Sequence, residues 1–349
     1  MTMTMNKEVK FDDFQIIPIP SSAKRLKISD ETYFSSQYSN YVSNSRLRWI
    51  NPDQGGSWQL FQNPPRESTH SLALGSCIHE CVLQSEEFQL PPDVSKPTAK
   101  LGKVIDCVIK NRKAGLSIYS SIKSACESAE YYLNTWENKI HYIIAKGLKY
   151  YFEAKDLPDN SILLDPTTRE NALASINSIN TNVNIQQKLH PVNELDEPIQ
   201  SYNEDALFLD LMVVYKDRAT TVRLKMKADN WSVDPENKVL TLNDLKTTSK
   251  PIGWFMRDYG SLIHYRYYRQ FYFYGMVLQE YCKIAYGFNI DWDFNCNVLV
   301  VETFGEHKSE CFRINETLLQ KGKREFEELI KRVAYYQLNP NETEPISFA

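Results

Sequence analysis

The spacing of apolar residues predicts helices in the first half of the chain and strands mixed with helices in the second half. Residues 71–83 carry apolar side chains at helical intervals, and the stretches 101–153 and 167–189 are also compatible with helix. From Pro198 onward, alternating and β-branched residues appear, which are typical of strands. This order of elements predicts an α/β core with a helical N-terminal elaboration.

A β-hairpin is the most clearly marked element of the second half. Residues 221–233 and 238–247 have strand patterns, and the sequence Asp-Pro-Glu-Asn between them is a strong turn signal. If these four residues form the turn, Asp229 lies opposite Leu242. The hairpin is followed by a predicted aromatic helix over 265–286.

Charged residues of the hairpin are expected to gather on one strand face. Asp244 and Lys246 follow Leu242 at intervals of two residues, so they share its face and that of Asp229. The two carboxylates then have diagonal spacing, about 7–8 Å between backbones. Hard oxygen ligands of this kind suit Mg²⁺ or Mn²⁺, and the lysine could help a water molecule to attack a phosphodiester.

A solvated strand face is the alternative interpretation, because Asp-x-Lys is a common pattern on exposed strands. The residues before Asp244, 239–242, are largely apolar, and charges at the end of a buried strand need a compensating partner. The flanking sequence therefore favours a functional site.

The domain organisation follows from the same pattern. Residues 1–30 are predicted to be a flexible N-terminal arm, since Pro18 and Pro20 discourage regular structure. Residues 31–349 are predicted to be a single domain with a helical insertion at about 98–190. Its core is expected at about 191–336, together with the helix at 71–84. A final amphipathic helix should begin after Asn315.

Net charge restricts how the chain could bind a nucleic acid. The formal net charge is −4, whereas a protein held on DNA by charge alone would usually be basic. DNA binding would therefore need a local basic groove. Short basic clusters exist around residues 24–27, 110–113, 223–227 and 321–324, although any one of them could be an ordinary solvated face.

Cysteine spacing and hydropathy exclude some classes of protein. The seven cysteines contain no C-x-x-C pair, so no zinc or iron–sulfur ligand set is visible. No apolar run approaches the length of a membrane span, and the first residues lack the pattern of a secretory signal. We therefore expect a cytoplasmic protein without a membrane partner or an iron–sulfur cluster.

Four short motifs resemble those of the PD-(D/E)xK nuclease superfamily. MKADNW around Asp229 and LNDLKTT fifteen residues later resemble its second and third motifs. Gln270 and Tyr274 form the Q-x-x-x-Y pattern of the RecB-like branch, and residues 75–80 resemble its G-x-x-x-H-E helix. Together with SNSRLRWINP, these runs make residues 45–304 similar to phage and prophage exonucleases of the RecE type. The resemblance implies a restriction-endonuclease-like core, in which a central mixed sheet is flanked by helices.

The resemblance also assigns roles to individual residues. It implies that His79, Asp229, Asp244 and the backbone carbonyl of Leu245 bind the metal, and that Lys246 is the catalytic lysine. The residues expected to line the site or contact DNA are Gln270, Tyr274, Lys225, Lys227 and Arg46. The lysines stand where the family usually has glycine or arginine. The candidates for a further acidic residue are Glu197, Glu194 and Glu80.

The function implied by the resemblance is a Mg²⁺-dependent exonuclease acting on the ends of duplex DNA, with Mn²⁺ able to substitute. Related phage enzymes work in recombination, so a single-strand annealing protein, a homo-oligomer and a bacterial host cytoplasm are expected. The alternatives are an endonuclease or host-DNA-degrading enzyme of the same fold, and a non-catalytic DNA-binding module. A nucleotide-processing enzyme is less favoured because no G-x-x-x-x-G-K-[ST] loop is present.

Overall fold

A six-stranded mixed sheet is the centre of the fold. The computed structural model of the protein describes residues 8–65, 70–86, 97, 99–131, 143, 147, 150–152, 165–342 and 347–348. Strands in chain order are β1 (Glu8–Val9), β2 (Phe14–Leu26), β3 (Gln200–Tyr215), β4 (Arg218–Asp234), β5 (Val239–Thr248), β6 (Asp293–Glu302), β7 (Ser309–Arg313) and β8 (Ser347–Phe348). The sheet runs β2-β3-β4-β5-β6-β7, and β1 pairs separately with β8. All neighbours in the large sheet are antiparallel except β5 and β6, which are parallel.

Helices precede and follow the hairpin of β4 and β5 along the chain. Those before it are α1 (Asp30–Tyr33), α2 (Asn44–Leu47), α3 (Trp58–Gln62), α4 (His70–Leu83), α5 (Ala99–Lys113), α6 (Ile118–Ser128), α7 (Pro166–Thr181) and α8 (Val183–Leu189). Those after it are α9 (Ile252–Phe255), α10 (Ser261–His264), α11 (Tyr267–Tyr286) and α12 (Glu316–Leu338). The predicted fold class, an α/β core with a mixed sheet flanked by helices, is confirmed.

The main core lies between the sheet and the two long helices α11 and α12. Phe271 and Phe273 of α11 and Phe326 of α12 are fully buried, and the rings of Phe273 and Phe326 stack 5.2 Å apart. Trp231 of β4 belongs to the same cluster. Asn315 caps α12 as predicted, because its side chain accepts a hydrogen bond from the amide of Leu318 at 2.9 Å.

The chain divides into two compact units. The first contains residues 1–68, 82–84 and 177–349, and therefore holds the whole six-stranded sheet. The second contains residues 69–81 and 85–176, where α5 and α6 pack through Val104, Ile105 and Ile122. The predicted insertion at about 98–190 overlaps the second unit, but residues 177–190 belong to the first. A single domain over 31–349 stays a prediction. Of the helix-compatible stretch 101–153, most residues after 131 lie outside the described part of the chain.

The prediction of a flexible arm over residues 1–30 is wrong for residues 14–26. This stretch forms β2, which pairs with β3 in a register that runs from Phe14 opposite Tyr215 to Leu26 opposite Ala206. The prolines are tolerated because β2 is an edge strand, where an amide on the open side needs no partner. The register also shifts between Ile19 and Lys24, past Pro20.

The predicted helix over 167–189 is two helices. It breaks at Asn182, whose side chain accepts a hydrogen bond from the amide of Ile185 and so starts α8. A side chain that caps a new helix competes with continuation of the old one.

None of the helices within the described residues combines the length and the apolar character of a membrane span.

A row of asparagine amides crosses the middle of the sheet, buried at Asn230, Asn243 and Asn297 and exposed at Asn203. Asn203, Asn230, Asn243 and Asn297 occupy one level on β3, β4, β5 and β6. The amide nitrogens of Asn230, Asn243 and Asn297 each donate to the amide oxygen on the preceding strand, at 2.7 Å, 2.7 Å and 2.9 Å. We call these four residues the asparagine ladder.

The ladder also ends two helices. Asn243 donates to the carbonyl of Lys188 at 2.9 Å, and Asn230 donates to that of Leu189 at 3.3 Å, both at the C-terminus of α8. Asn203 donates to the carbonyl of Leu83 at the end of α4 at 2.9 Å. These carbonyls lie in the last turns of their helices, where no partner is available within the helix, and the ladder amides supply one.

Replacement of Asn243 with alanine is expected to destabilise the protein strongly. It would remove the hydrogen bonds that Asn243 makes with the amide oxygen of Asn230, the amide nitrogen of Asn297 and the carbonyl of Lys188, at about 1–3 kcal/mol for each buried polar group left unsatisfied. Urea unfolding should therefore show a loss of at least about 3 kcal/mol. Asn289→Ala, in an exposed turn, should cost less than about 1 kcal/mol. Equal losses in the two variants would contradict the importance of the ladder.

Candidate active site

The predicted hairpin is present, but its register differs from the predicted one. Asn230 pairs with Asn243 and Trp231 with Leu242, so the prediction that Asp229 faces Leu242 is wrong by two residues. The cause is the loop, which extends to Lys238, a residue with a left-handed backbone at φ 55°. A shift of two residues leaves each side chain on its predicted face. It brings Asp229 closer to the level of Asp244.

Asp244 and Lys246 form a contact pair on the central strand β5. The side chain of Asp244 is buried, and one of its oxygens accepts a hydrogen bond from Gln270 of α11 at 2.8 Å. The Lys246 ammonium forms a salt bridge with the other oxygen. It also lies 5.1 Å from the centre of the Tyr267 ring. The lysine is therefore held in place from several sides.

Asp229 is tied to the same strand through the backbone. One of its carboxylate oxygens accepts a hydrogen bond from the amide of Leu245 at 2.7 Å. The carbonyl of Leu245 accepts one from the Lys246 ammonium at 3.3 Å. The three residues Asp244, Leu245 and Lys246 are thus connected to Asp229 by hydrogen bonds or charge.

Glu204 is a site residue that the sequence prediction missed. It lies on β3 between the pairs Asn203–Asn230 and Asp205–Ala228, and so at the level of Asp229. Ligand oxygens of Glu204 and Asp229 lie within 4.8 Å of each other. Glu204 has φ 55°, an unfavourable backbone for a non-glycine residue that the surrounding sheet must stabilise. Counting strand pairs back from the turn at residues 216–217 would have placed it opposite Asp229.

The other proposed acidic residues have different surroundings. Glu197 is exposed, and its carboxylate accepts a hydrogen bond from the side chain of Asn193 at 3.0 Å in a local turn. Glu194 is exposed in the same turn. The structure therefore gives Glu204, rather than Glu197 or Glu194, the position beside Asp229. Glu80 lies on α4 in the second unit and is half-buried.

Burial and neighbouring charges determine the protonation of these groups. Burial raises the pKa of Asp229, although the Lys246 ammonium and the Leu245 amide act in the opposite direction. Burial alone would lower the pKa of Lys246, but the carboxylates of Asp244 and Asp229 outweigh it and raise the pKa. Lys246 is therefore a permanent cation near neutral pH.

The predicted lining residues of α11 face this cluster. Gln270 holds Asp244 through the hydrogen bond described above. Burial raises the pKa of Tyr274 well above its ordinary value, and next to burial the largest contributions come from Tyr33, Asp244 and Asp229. The Tyr274 hydroxyl is therefore a neutral group close to the carboxylates.

The donor set suits a divalent metal ion. Asp229, Asp244 and Glu204 provide carboxylate oxygens, which are the ligands preferred by Mg²⁺ and Mn²⁺. Two ammonium groups stand among them, because Lys227 lies 2.8 Å from Glu204 and Lys246 contacts Asp244. The Lys227 ammonium also contacts Asp30, so carboxylates outnumber ammonium groups by four to two, and this excess favours binding of a cation.

His79 belongs to the second unit. It lies on α4 and is half-buried, and it interacts with other groups of the protein. Its expected role as a metal ligand stays a prediction, as does that of the Leu245 carbonyl.

Two of the side chains expected to contact DNA have structural partners instead. Lys225 is buried, donates to the carbonyl of Tyr33 at 2.8 Å and lies 4.4 Å from the centre of that ring. Arg46 donates to the carbonyl of Phe61 at 3.1 Å and lies against its ring. Both side chains therefore bind backbone carbonyls and aromatic rings of the protein itself, and these contacts do not support a contact with phosphate.

Lys227 is the third of these bases, and it joins the carboxylates. Its ammonium bridges Glu204 and Asp30. Burial alone would lower the pKa of Lys227, but the hydrogen bonds with Asp30 and Glu204 raise it. Lys227 therefore positions Glu204 rather than extending into solvent.

Comparison with known proteins gives limited information. No protein-family model matches the chain. No curated protein matches it. Among solved structures, 92% of the chain aligns with 90% of a protein named "Putative exonuclease" from Eubacterium rectale, at 12% identity and a TM-score of 0.40. Protein VC1899 from Vibrio cholerae aligns over 78% of this chain and 57% of its own, at 11% identity and a TM-score of 0.16. The function proposed below therefore rests on the side chains of the site.

Lys225 is expected to make stability depend on pH in an unusual direction. Burial, assisted by Arg46, lowers the pKa of Lys225 to about 8 from 10.5. Below about pH 8 the lysine is charged in both states, and burying this charge lowers the free energy of unfolding. The loss shrinks as the pH rises from about 8 to 10.5, because the folded lysine is then neutral and the unfolded lysine increasingly loses its proton too. Relative to Lys225→Met, the wild type should gain up to about 1.4 kcal/mol of unfolding free energy per pH unit between these values.

Chemical denaturation from pH 7 to pH 10 measures this difference. Other groups that titrate in this range are common to both proteins and cancel. Lys238→Asn removes an exposed lysine and should run parallel to the wild type at every pH. A constant difference between Lys225→Met and the wild type would show that Lys225 is not perturbed.

Proposed function

We propose that this chain is a metal-dependent nuclease that hydrolyses phosphodiester bonds in DNA. The observation that carries the proposal is the contact of Asp244 with Lys246 on β5. Beside this pair lie Asp229 and Glu204, whose carboxylate oxygens are within 4.8 Å of each other. Charged groups removed from water are costly unless they have a role or a partner, and here the buried Asp244 and the half-buried Asp229, Glu204 and Lys246 converge on one place in the sheet.

Lys246 would act as a fixed positive charge. Its raised pKa makes it a poor base near neutral pH, so it is not expected to remove a proton from water. Its ammonium can instead orient an attacking water by hydrogen bonding and stabilise negative charge that develops on the phosphate. Asp244 positions this ammonium, and Gln270 positions Asp244.

Most of the proposed metal ligands are oxygen atoms. Asp229, Glu204 and Asp244 are the proposed carboxylate ligands, and His79 and the carbonyl of Leu245 are proposed from the sequence motifs. A bound Mg²⁺ or Mn²⁺ would supply Lewis-acid chemistry, in which positive charge activates water and polarises the phosphate. Lys227 would then orient Glu204 towards the ion.

The finer proposal is an exonuclease that acts from the ends of duplex DNA in phage-type recombination. It comes from the motif resemblance, as do a cytoplasmic location in a bacterial host, an annealing-protein partner and homo-oligomer formation. The presence of the whole Asp229, Asp244 and Lys246 set argues against a non-catalytic module, because a site without selection for catalysis has no reason to keep buried charges.

Replacement of Lys246 with alanine is expected to reduce DNA cleavage by about 10²-fold or more, the usual effect of removing one charge-stabilising donor. The assay compares linear and closed circular duplex DNA with Mg²⁺ and with EDTA. Lys238→Asn, at the exposed turn of the same hairpin, should cleave like the wild type. Unchanged cleavage in Lys246→Ala would disprove the assigned site, and cleavage of the circle would disprove the exonuclease.

Glu204→Gln is expected to weaken metal binding without unfolding the protein. The amide keeps the size of the side chain and one oxygen but removes a negative charge, so the Mg²⁺ concentration for half-maximal cleavage should rise about tenfold or more. Glu197→Gln is the matched control, because Glu197 lies in an exposed turn. Direct titration with Mn²⁺ should give the same order of affinities. If Glu197→Gln were the weaker variant, Glu204 would not be a ligand.

A further inference from the structure

Exposed aromatic side chains gather directly after the catalytic strand. The stretch from Lys250 to Arg266, which we call the 250–266 segment, contains Trp254, Tyr259 and Tyr265, with exposures of 46%, 92% and 57%. Large aromatic rings are rarely left in water without a binding role when several occur together. Other apolar residues of the same segment, including Phe255 and Leu262, are buried and fix it to the core.

The segment has a defined conformation. The amide of Lys250 donates to the Thr248 hydroxyl at 3.1 Å, and the amide of Ile252 donates to Glu302 at 2.8 Å, which joins the segment to the ends of β5 and β6. A Cβ atom on Gly260 would lie 1.9 Å from the carbonyl oxygen of Trp254. Only glycine permits this close turn, so the exposed rings are held on a compact loop.

The charge of the segment differs in sign from that of the whole chain. It contains three basic residues, Lys250, Arg257 and Arg266, against one acidic residue, Asp258, whereas the chain has a net charge of −4. The Lys250 ammonium lies 5.7 Å and the Arg257 guanidinium 5.2 Å from the centre of the Trp254 ring. Arg266 is already paired with Glu325 and Asp53, so Lys250 and Arg257 are the cations placed at the exposed ring.

A series of rings connects this segment to the catalytic lysine. Tyr265 lies 5.7 Å from Tyr267, measured between ring centroids, and Phe255 stacks on Tyr267 at 5.9 Å. Tyr267 in turn lies 5.1 Å from the Lys246 ammonium. The exposed Tyr265, and Phe255 as the chain neighbour of Trp254, therefore place the segment beside the proposed site of cleavage.

We propose that the 250–266 segment binds an unpaired strand of DNA, with bases stacked on Trp254 and Tyr259 and phosphates contacted by Lys250 and Arg257. The proposal rests on the proposed function for the identity of the substrate. Stacking needs an open base face, which a single strand offers and the interior of a duplex does not. Aromatic rings beside cations form the usual surface for single strands, worth about 1–3 kcal/mol per stacked base.

Binding of a fluorescein-labelled single-stranded oligonucleotide, measured by anisotropy in EDTA, tests the proposal without cleavage. Trp254→Ala should raise the Kd about tenfold, and Trp254→Phe, which keeps a ring, should recover most of the affinity. Tyr259→Ala should also weaken binding, and the 92% exposure of Tyr259 makes a folding defect implausible as the cause. Wild-type affinity in both alanine variants would overturn the proposal.

An abasic oligonucleotide separates stacking from charge. The wild type should lose affinity for it, and Trp254→Ala should bind abasic and normal strands almost equally, because the ring and the base act as a pair. Arg257→Gln should lower the slope of log Kd against log salt by about one, and Lys238→Asn should leave it unchanged. An equal effect of Trp254→Ala on a blunt duplex would overturn the assignment to a single strand.

The binding assay and the cleavage assay can give opposite results, so failure of the strand-binding proposal can be told from failure of the nuclease proposal. Loss of binding in Trp254→Ala together with an absence of Mg²⁺-dependent cleavage in the wild type would support the strand-binding surface and reject the nuclease. Cleavage that depends on Lys246, with binding that does not depend on Trp254 or Tyr259, would support the nuclease and reject the surface.

Discussion

The asparagine ladder is the constraint on which the rest of the structure depends. Glu204, Asp229 and Asp244 are each the immediate chain neighbour of a ladder residue, namely Asn203, Asn230 and Asn243. Neighbouring residues in a strand point to opposite faces, so the amides on one face fix the level of the carboxylates on the other. A slip of one residue between any two of these strands would break the ladder and turn a carboxylate away from the site. The sheet thus specifies its own register at the place where the three carboxylates meet.

Charge compensation is the second requirement of this arrangement. Three carboxylates lie close together in or near the interior, and such a group opposes folding unless opposite charges and hydrogen-bond donors offset the repulsion. Lys246, Lys227, the Leu245 amide and Gln270 supply this compensation. The raised pKa of Asp229 shows that the compensation is incomplete, because the folded state still disfavours its charged form. A cation added to the cluster would complete it, so the same residues that limit stability favour binding.

The sequence predicted features with strong local signals. The hairpin, the aromatic helix α11 and the cap at Asn315 follow from periodicity and turn residues, and all are present.

Features that depend on distant pairing were missed. Glu204 gains its place only through the register of β3 against β4, and the loop at Lys238 shifts the hairpin by two residues through one left-handed backbone. Lys225 looked like a surface base, because nothing in its own segment indicates that Tyr33 and Arg46 enclose it. The edge strand β2 was hidden by its prolines, which only an edge tolerates.

The parallel pairing of β5 with β6 has a consequence for how the protein is made. Two parallel neighbours cannot be joined by a tight turn, so the chain must travel back along the sheet between them, and α11 is the main part of that return. Gln270 reaches Asp244 only because this return exists. During synthesis the hairpin of β4 and β5 can form early, but the complete cluster must wait until α11 has left the ribosome and brought Gln270 to Asp244. A growing chain therefore carries the acidic residues for some time before it has the geometry to use them.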